Sequence, residues 1–429
     1  MIDRVVKKNL CTNCGTCISV CPFNAIFYEQ KENSFEIKVN WKKCRKCGLC
    51  LKVCPGLGVD FENLNKEIFK KDKKIKYNPN LGNFRNCYLG YSRDRDIRFQ
   101  CSSGGTITSI LIYLLKNKII DGALVTTMDF QKPLISKPFI AYTEEEIIEA
   151  RGSKYTPVLL NQCLKEIIKS KKKKFAVVGL PCHIQGIRKF QKINPALRKK
   201  IKICLGLVCG QEVNFSGTKF ILRQLRTKSD EVKKIEYRGD SWPGDIAVFK
   251  KNGKVKRFPF PEIFRIFTMG FFTPERCFLC TDFTNELADI SFGDAWIPKL
   301  IKRKQGVNFI ITRTKLGQEL LEKTRKSIYF KNIDPGLVIK TYNIRLFCKK
   351  RSHKLFTTMA NLFKWGIPKY SNQAKSQVKP VSISLPIFYL NSYFSNRYSK
   401  FFLRIPLIFW NLPILLTRKI LDLYKRSKS

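Results

Sequence analysis

Two groups of regularly spaced cysteines near the N terminus have the spacing of metal-cluster ligands. Residues 11–22 read CTNCGTCISVCP, and residues 44–55 read CRKCGLCLKVCP. Both segments follow the pattern C-x2-C-x2-C-x3-C-P, which is the spacing by which thiolates hold a [4Fe–4S] cube. Two copies in succession therefore predict two such cubes, and with them the transfer of single electrons.

The order of the cysteines also predicts how the ligands are shared. In bacterial-type ferredoxins with this pattern, the fourth cysteine of each motif binds the cube of the other motif. We therefore expect one cube to be bound by Cys11, Cys14, Cys17 and Cys54. The other cube is then bound by Cys44, Cys47, Cys50 and Cys21. Zinc is the alternative for C-x2-C pairs, but it requires neither the third cysteine nor the Cys-Pro end of each motif.

Four cysteines farther along the chain occupy positions that suit a metal ligand. Cys182 lies between a predicted strand and a helix start, Cys209 ends the next predicted strand, and Cys277 and Cys280 form a C-x2-C pair. A thiol at a helix N terminus has a lowered pKa, and α/β sheets present ligands at the carboxyl ends of their strands. Four is the number of thiolates that a further cube needs. The alternative is that they are small buried hydrophobes, which suits the unpatterned Cys87, Cys163, Cys204 and Cys348.

Two loops between predicted elements are rich in small or basic residues, and the first of them suits a phosphate. Ser102–Gly105 is a Ser/Gly turn that opens a predicted helix, Thr106–Lys116. Free N–H groups and the positive end of the helix dipole favour an anion there, although a plain helix cap is the alternative. A basic turn, Arg151–Tyr155, follows a predicted acidic helix at Glu144–Glu149.

The composition limits the class of protein and its compartment. The chain has 429 residues, which predicts about three domains. Lys and Arg outnumber Asp and Glu by 81 to 33, so polyanions or anionic membranes are favoured partners. Nucleic-acid binding is not favoured, because no helix-turn-helix, zinc-finger or RNP signature is present. Seventeen cysteines in a long chain without an N-terminal apolar signal region indicate the reducing cytoplasm.

These patterns divide the chain into a domain plan. The fold class is α+β, with a dicluster ferredoxin domain, then a mixed α/β domain, which the family resemblance given below implies to be a flavin-binding catalytic domain, then a basic, hydrophobic C-terminal tail. The boundaries are 1–60 for the ferredoxin domain, 61–80 for a linker, 81–165 and 166–345 for the two catalytic regions, and 346–429 for the tail.

The tail predicts a membrane contact. Its longest apolar run, Ile405–Thr417, is interrupted by proline and asparagine and is shorter than the ~20 residues needed to span a bilayer. Basic and aromatic residues around it are typical of an interfacial segment, which places the protein at the inner face of the membrane. The alternative is a tail that docks on a partner protein or on this fold.

Seven short motifs occur in an order that resembles a known family. After the ferredoxin motifs come SSGG, RGSKY, GLPCHIQGIRKF, LGLVCG, YRGDSWPG, CFLCTDF and ADISFGD. This series resembles the coenzyme F420 hydrogenase/dehydrogenase beta-subunit family, and the resemblance runs from about residue 1 to 325.

The resemblance implies FAD and a third [4Fe–4S] cluster in the catalytic domain. The ligands of the third cluster would be Cys182, Cys209, Cys277 and Cys280. Along the flavin would lie Ser102, Ser103, Gly104, Gly105, Ser153, Lys154 and Tyr155. No catalytic acid or base is required, because a cube carries one electron, a hydride carries two, and flavin converts between them. His183 would tune the flavin or donate to substrate, and a structural role is the alternative.

The expected function is an iron–sulfur flavoprotein oxidoreductase with a redox partner protein, such as a ferredoxin or a hydrogenase/dehydrogenase subunit, and a small two-electron carrier. The alternative is a non-catalytic ferredoxin-type subunit of a larger complex. The tail departs from the deazaflavin enzymes and resembles members from surface-polysaccharide loci. The carrier is therefore either coenzyme F420 or another molecule, such as a membrane-linked glycan precursor or a quinone-like carrier.

Overall fold

The computed structural model describes residues 1–70, 72–371 and 385–405. The helices are α1 Asp3–Lys7, α2 Thr16–Val20, α3 Leu49–Lys52, α4 Phe61–Ile68, α5 Arg95–Gln100, α6 Thr106–Lys116, α7 Glu144–Glu149, α8 Leu164–Lys169, α9 Pro181–Ile193, α10 Pro195–Lys200, α11 Phe215–Gln224, α12 Phe260–Thr268, α13 Pro298–Lys302, α14 Lys315–Lys323, α15 Pro335–Thr341, α16 Asn343–Leu346, α17 His353–Leu362, α18 Leu385–Arg397 and α19 Ser399–Phe402. The strands are β1 Ile26–Gln30, β2 Phe35–Val39, β3 Gly58–Val59, β4 Lys76–Asn78, β5 Gly82–Phe84, β6 Asn86–Ser92, β7 Gly122–Met128, β8 Ser136–Ala141, β9 Phe175–Gly179, β10 Ile201–Leu207, β11 Val232–Gly239, β12 Asp245–Lys250, β13 Val255–Pro259, β14 Ile290–Asp294, β15 Asn308–Thr312, β16 Ile328–Ile333 and β17 Lys369–Tyr370.

An eight-stranded mixed sheet forms the centre of the catalytic part. Its order is β16-β6-β15-β14-β10-β9-β7-β8, and the pairs β14–β10, β10–β9 and β9–β7 are parallel. Side chains alternate along β9, as in any strand. Phe175 and Val177 therefore pack on one face with residues of the N-terminal domain, whereas Ala176 packs on the other face with α6. The ferredoxin domain thus shares a hydrophobic core with the sheet.

The segment predicted as a linker, 61–80, is instead folded. Residues 61–68 form α4, where Asp60 caps the helix by accepting a hydrogen bond from the Asn63 N–H group. Phe61 and Leu64 are buried against the ferredoxin core. Their spacing is that of a helix, but the surrounding lysines and asparagines weaken the apolar pattern. The sequence therefore predicted a linker in place of this helix. Within the same segment, β4 pairs with β5.

A second sheet, β11-β12-β13, is antiparallel and packs with α11 and α12 around a separate core. The apolar residues of α12 that face this core, Phe260, Ile263 and Phe267, follow helical spacing. This sheet and these helices lie between Cys209 and Cys277 in the chain, so they set how those two cysteines approach each other.

The described part of the predicted tail packs on this fold. In α18, the side chains of Asn391, Ser392 and Asn396 donate hydrogen bonds to the backbone carbonyls of Met269 and Thr273 at 2.7–3.0 Å. An interfacial helix would turn such polar groups to water and its apolar face to lipid. In α18 these polar groups instead bond to this fold, so the docking alternative is observed there, and the membrane contact of the tail stays a prediction. Ile405 is the last described residue of the run Ile405–Thr417, so the rest of that run lies outside the described residues.

Among the residues that the structure describes, no helix combines the length and the apolar character needed to cross a bilayer.

An asparagine junction joins three parts of the chain. Asn33, in the turn between β1 and β2, accepts a hydrogen bond from the Ser216 hydroxyl at 2.5 Å and donates to the Asn396 carbonyl at 3.1 Å. Asn214 donates to the side-chain oxygen of Asn396 at 2.6 Å. The N–H group of Phe215 also donates to the Asn33 carbonyl, at 2.9 Å. The ferredoxin domain, the catalytic part and α18 therefore meet at one hydrogen-bonded point.

Candidate redox centres

The structure brings together the four cysteines expected to bind the first cube. Burial raises the pKa of the Cys17 thiol, and nearby charges raise it further, namely those of Cys14, Cys11 and Cys54. Burial also raises the pKa of Cys54 to about 11, with the charge of Cys14 as the next cause. A Cβ atom on Gly56 would lie 3.2 Å from the Cys54 sulfur. The fourth cysteine of the second motif thus lies with the first three of the first motif.

The cysteines expected to bind the second cube line one small cavity near the surface. The thiols that line it belong to Cys21, Cys44, Cys47 and Cys50. Phe23 and Arg45 line the same cavity, and Cys47 is exposed to solvent. Four thiols around one space fit a cube, and this set lies at the surface.

The third set is assembled from three separate parts of the chain. Cys182 lies in the first turn of α9, Cys209 follows β10, and Cys277 and Cys280 lie in the turn after α12. Burial raises the pKa of the Cys277 thiol to about 11 and raises that of Cys209, and these thiols and Cys280 are mutual charge neighbours. Burial also raises the pKa of Cys182, with charges on Cys14, Glu212, Cys209 and Cys280 adding to the effect. Cys14 therefore connects the first set to the third.

Zinc holds its sulfur ligands at about 2.3 Å, which requires a tight group of side chains. Within residues 1–70, 72–371 and 385–405, no three or more His, Cys, Asp or Glu side chains are grouped closely enough to hold a single metal ion.

The helices that carry the first and third sets are in direct contact. Asn161 donates to the Thr16 hydroxyl at 2.8 Å and to the His183 carbonyl at 2.9 Å, and its own N–H group donates to the Cys14 carbonyl at 2.9 Å. Only the α-hydrogen of Gly186 fits at this contact, because a Cβ atom there would lie 2.2 Å from the Thr16 hydroxyl. One buried amide thus fixes α2, beside Cys17, against α9, beside Cys182.

Glu212 lies among the cysteines, and the sequence interpretation did not identify it. Burial raises the pKa of its carboxyl to about 8, and its N–H group donates to the Cys277 sulfur at 3.5 Å. Its charge raises the pKa values of the Cys11 and Cys182 thiols, after burial and nearer groups. The only sequence signal was its place three residues after Cys209.

His183 is held by the backbone on both sides of its ring. Its Nδ1 accepts a hydrogen bond from the Leu180 N–H group at 3.2 Å, and its Nε2–H group donates to the Val158 carbonyl at 3.2 Å. Burial lowers its pKa to about 4, so the ring is neutral at physiological pH. This geometry favours the structural alternative for His183.

The two loops expected to lie along the flavin are side by side. The N–H group of Ser153 donates to the Ser102 hydroxyl at 2.6 Å, and the Ser103 hydroxyl donates to the Val307 carbonyl at 3.1 Å. Lys154 donates to the carbonyls of Ala150, Arg151 and Gly152 at 2.5–3.1 Å, and burial lowers its pKa to about 7. Its ammonium group therefore shapes its own loop and would have to exchange these bonds to reach a phosphate.

Gly104 and Gly105 allow the first loop to approach its neighbours closely. A Cβ atom on Gly104 would lie 2.7 Å from the Asn308 side-chain oxygen, and Gly105 has a positive φ of 70° at the start of α6. Thr106 donates to the same oxygen of Asn308 at 2.8 Å. The Ser/Gly turn is thus packed against the first residue of β15.

An aromatic and charged cluster borders the two loops. Tyr155 stacks on Phe260, with ring centroids 5.3 Å apart. The Arg238 guanidinium lies 4.8 Å from the Phe260 centroid and 5.5 Å from that of Trp296, and it donates to the Asp294 carboxylate at 2.8 Å. The sequence interpretation quoted the motifs that contain Arg238 and Asp294 without giving these residues a role.

Three buried polar atoms beside these loops fit a polar ligand. Thr156 Oγ1, Arg238 Nη2 and Trp242 Nε1 are buried and have no hydrogen-bond partner among the described residues. Because buried donors are nearly always satisfied, unpartnered ones at one place indicate a missing acceptor. Hydroxyl and phosphate oxygens of a flavin are acceptors of this kind, so the residues present fit that cofactor.

Comparisons with known proteins identify the family of this chain. The family model described as "Coenzyme F420 hydrogenase/dehydrogenase, beta subunit N-term" matches residues 87–165, and its C-terminus counterpart matches residues 172–336. A 4Fe-4S dicluster domain matches residues 10–59. The coenzyme F420 hydrogenase subunit beta of Methanococcus voltae is 30% identical over 265 residues, which are 60% of this chain and 89% of that relative. The chain belongs to the coenzyme F420 hydrogenase/dehydrogenase beta-subunit family.

Two more members of the comparison extend this result. The coenzyme F420-dependent sulfite reductase of Methanocaldococcus jannaschii is 28% identical over 334 residues, 74% of this chain but 46% of that relative. A chain of the F420-reducing [NiFe] hydrogenase complex from Methanosarcina barkeri has the same fold, with a TM-score of 0.53, 25% identity, and coverage of 68% of this chain and 98% of that chain. The expected family is therefore confirmed, as are the mixed α/β fold, the N-terminal ferredoxin domain and its [4Fe–4S] clusters.

Proposed function

We propose that this chain is an iron–sulfur flavoprotein oxidoreductase that moves electrons between a redox partner protein and a two-electron carrier. The observation that carries this proposal is the convergence of Cys182, Cys209, Cys277 and Cys280 next to Cys14 of the ferredoxin domain. A third cube at this point would extend the pair of ferredoxin cubes, because its ligands lie next to those of the first set. The family's membership among oxidoreductase subunits supports the same class of reaction.

The family resemblance implies FAD as the cofactor. The site formed by the loops Ser102–Gly105 and Arg151–Tyr155 fits it. Flavin converts between single electrons and a hydride when it is bound. Ser102, Ser153 and the unpartnered donors of Thr156, Arg238 and Trp242 would hold its polar atoms. The rings of Tyr155 and Trp296 exclude water from the same side.

The carrier that best fits the relatives is of the coenzyme F420 type. The hydrogenase subunits and the sulfite reductase named above are each described by that coenzyme. We therefore favour a deazaflavin carrier over a glycan precursor or a quinone-like molecule. Anaerobic assays with deazaflavin, nicotinamide and quinone acceptors test this choice, and reduction of the quinone alone would reverse it.

The content of iron and flavin tests the catalytic proposal. Three cubes predict about twelve irons and twelve sulfides per chain, because each cube contains four of each, together with one FAD. About eight irons and no flavin would contradict it and leave a ferredoxin-type subunit. Arg238→Met is expected to lower the flavin content and leave the iron unchanged. The exposed Arg303→Met is the matched control.

The non-catalytic alternative is favoured by one observation: the solved relative is titled as part of a hydrogenase complex. The two functions differ in what the isolated chain can do. If it reduces a deazaflavin with electrons from a reduced ferredoxin, it is an oxidoreductase by itself. If it takes up those electrons and passes none to any small carrier, the role is that of an electron-transfer subunit.

The partner would exchange electrons at the second set of cysteines, which reaches the surface at Cys47. Cys47 is exposed, and Phe23, Phe27 and Trp41 around it are 42–54% exposed. Four exposed basic side chains flank the same cysteines, namely Lys42, Lys43, Arg45 and Lys46. Aromatic and basic residues around a cube that reaches the surface suit an acidic redox protein.

Charge reversal tests this entry surface. Replacing Lys42, Lys43 and Lys46 by Glu is expected to slow reduction by an acidic ferredoxin at low salt and to leave reduction by dithionite unchanged, because charge steering acts on the protein encounter. The matched control reverses three exposed lysines elsewhere, Lys171, Lys251 and Lys254. Equal slowing in both triple variants would show that the effect is one of net charge and not of this surface.

A further inference from the structure

Each of the three cysteine sets is approached by one lysine from outside the ferredoxin domain. Lys165 of α8 donates to the Cys21 carbonyl at 3.3 Å, and Lys189 of α9 donates to the Cys54 carbonyl at 2.7 Å. Lys349, in the π-helical turn before α17, donates to the Cys277 carbonyl. In each case the ammonium group is bound to the backbone of a cysteine that is expected to be a ligand. This arrangement repeats although the three sets differ in sequence and fold.

The three lysines differ in depth. Lys165 also contacts the Asn24 side chain at the surface turn before β1, and Lys189 also donates to the Gly58 carbonyl at 3.1 Å. Both of these side chains are partly exposed, whereas Lys349 is only 8% exposed. The cysteine sets differ in exposure as well: Cys47 of the second set is exposed, the cysteines of the third set are partly exposed, and Cys14, Cys17 and Cys54 of the first set are buried. Lys349 is therefore the most buried of the three lysines, independently of how deep its cysteines lie.

Depth determines how strongly a charge acts on a cube. Adding one electron to a cube adds one negative charge, and burial opposes that charge because water no longer solvates it. A fixed positive charge nearby offsets this cost, and its effect grows as the surrounding dielectric falls. Lys349 has more effect than Lys165 for this reason.

We propose that Lys165, Lys189 and Lys349 are counter-charges that raise the reduction potentials of the three cubes, with an effect that grows with the burial of the lysine and is largest at Lys349. Lys349 gives the C-terminal extension a role, because it lies beyond residue 336, where the match to the family model ends. The part of this inference that concerns Lys349 rests on the proposed third cube. The parts that concern Lys165 and Lys189 rest on the ferredoxin cubes alone.

Redox titration followed by electron paramagnetic resonance tests the proposal on the full, iron-loaded chain. Lys349→Met is expected to lower the potential of one cube by at least the 59 mV that corresponds to a tenfold change in a one-electron equilibrium. Lys189→Met is expected to lower the potential of another cube by less, and Lys165→Met that of the last cube by least. Lys349→Arg keeps the charge and is expected to stay near the parent value.

The controls separate a charge effect from a structural one. Lys354→Met removes an exposed charge five residues from Lys349 and is expected to shift no potential. Equal potentials in Lys349→Met and Lys354→Met, or a shift in Lys349→Arg as large as in Lys349→Met, would overturn the proposal. If the parent contains only eight irons, the third cube is absent and the proposed function fails. In that case, and also if Lys349→Met loses iron, the two ferredoxin variants decide the inference by themselves. Lys189→Met must then lower the potential of its cube by more than Lys165→Met does.

Discussion

The ferredoxin cysteines and the third cysteine set reach the same chemistry by different means. The eight N-terminal cysteines lie within 44 consecutive residues, Cys11 to Cys54, and their loops place them together locally. The third set spans residues 182–280 and is brought together by β10, α9 and the helices around β11-β12-β13. Local spacing therefore builds the first two sites, whereas tertiary packing builds the third. The assembly of the third set should therefore depend on distant residues that the assembly of the first two sets does not require.

The largest effect should come from removing one thiol of the third set. Cys277→Ala is expected to remove about four of twelve irons, since a cube needs its ligands, and to leave the ferredoxin signals unchanged. Cys348→Ala is the matched control, because Cys348 lies near the same site but has no expected role as a ligand. Iron analysis and low-temperature spectra provide the measurement. Retention of twelve irons in Cys277→Ala would remove the third set from the comparison.

A large effect on stability is expected from the packing beside the third set. Lys350 forms an ion pair with Glu286, and both side chains are at most 4% exposed. Lys350→Met should lower the free energy of unfolding by about 3–5 kcal/mol, because it leaves a buried carboxylate without its cation. The control pair is Lys315–Glu319, whose side chains are 75% and 55% exposed.

Lys315→Met should change the free energy of unfolding by no more than about 1 kcal/mol. Thermal unfolding of the two variants, followed at the iron–sulfur absorption and at the far-ultraviolet signal of the backbone, measures the difference. Equal melting temperatures of Lys350→Met and Lys315→Met would show that losing an ion pair beside the third set destabilises the protein no more than losing one at the surface.

A moderate effect is expected where α18 docks. Asn396→Ala removes donors to the Thr273 carbonyl and to the Glu275 carboxylate, at 2.8 and 3.0 Å. Leaving such groups without partners costs about 1–3 kcal/mol. Asn391→Ala, which removes a single bond to the Met269 carbonyl, is the weaker matched variant. If Asn391→Ala destabilises the protein as much as Asn396→Ala, the junction at Asn33 adds nothing to the docking of α18.

The smallest effect is expected at Tyr389. Its ring is buried among Phe278, Phe356 and Trp365, but its hydroxyl has no hydrogen-bond partner among the described residues. Tyr389→Phe should therefore leave the melting temperature unchanged or raise it slightly, because it removes a buried polar group without breaking a bond. Tyr389→Ala, in contrast, should cost about 3–5 kcal/mol through the cavity that it leaves. A clear loss of stability in Tyr389→Phe would reveal an acceptor for its hydroxyl.

The sequence was most informative where chemistry and local structure coincide. The C-x2-C-x2-C-x3-C-P motifs specify their own loops, and the structure places Cys54 near Cys11. The apolar strands predicted from Phe175 and from Ile201, which precede Cys182 and Cys209, are present, since β9 and β10 begin at those residues. The helix Thr106–Lys116 also has the predicted bounds.

The sequence was least informative where a residue acts through a distant contact. Glu212 and Lys349 have no motif, and their place among the cysteines follows from the packing of the turn after β10 and of the segment before α17. The polar residues of α18 were interpreted by composition, although their partners are backbone groups near residue 273. Lysines around α4 likewise concealed Phe61 and Leu64. A one-dimensional pattern does not identify the partners that a side chain will meet.

The asparagine junction determines what kind of electron carrier the ferredoxin domain can be. Asn33 is bonded to Ser216 and Asn396, and Asn161 holds Thr16 at a second point of the domain. A domain held at two points does not swing between a docking partner and the catalytic part. Every separation between cysteine sets is then constant, so the speed of internal transfer should not depend on solvent viscosity. Only the encounter with the outside partner remains a diffusive step.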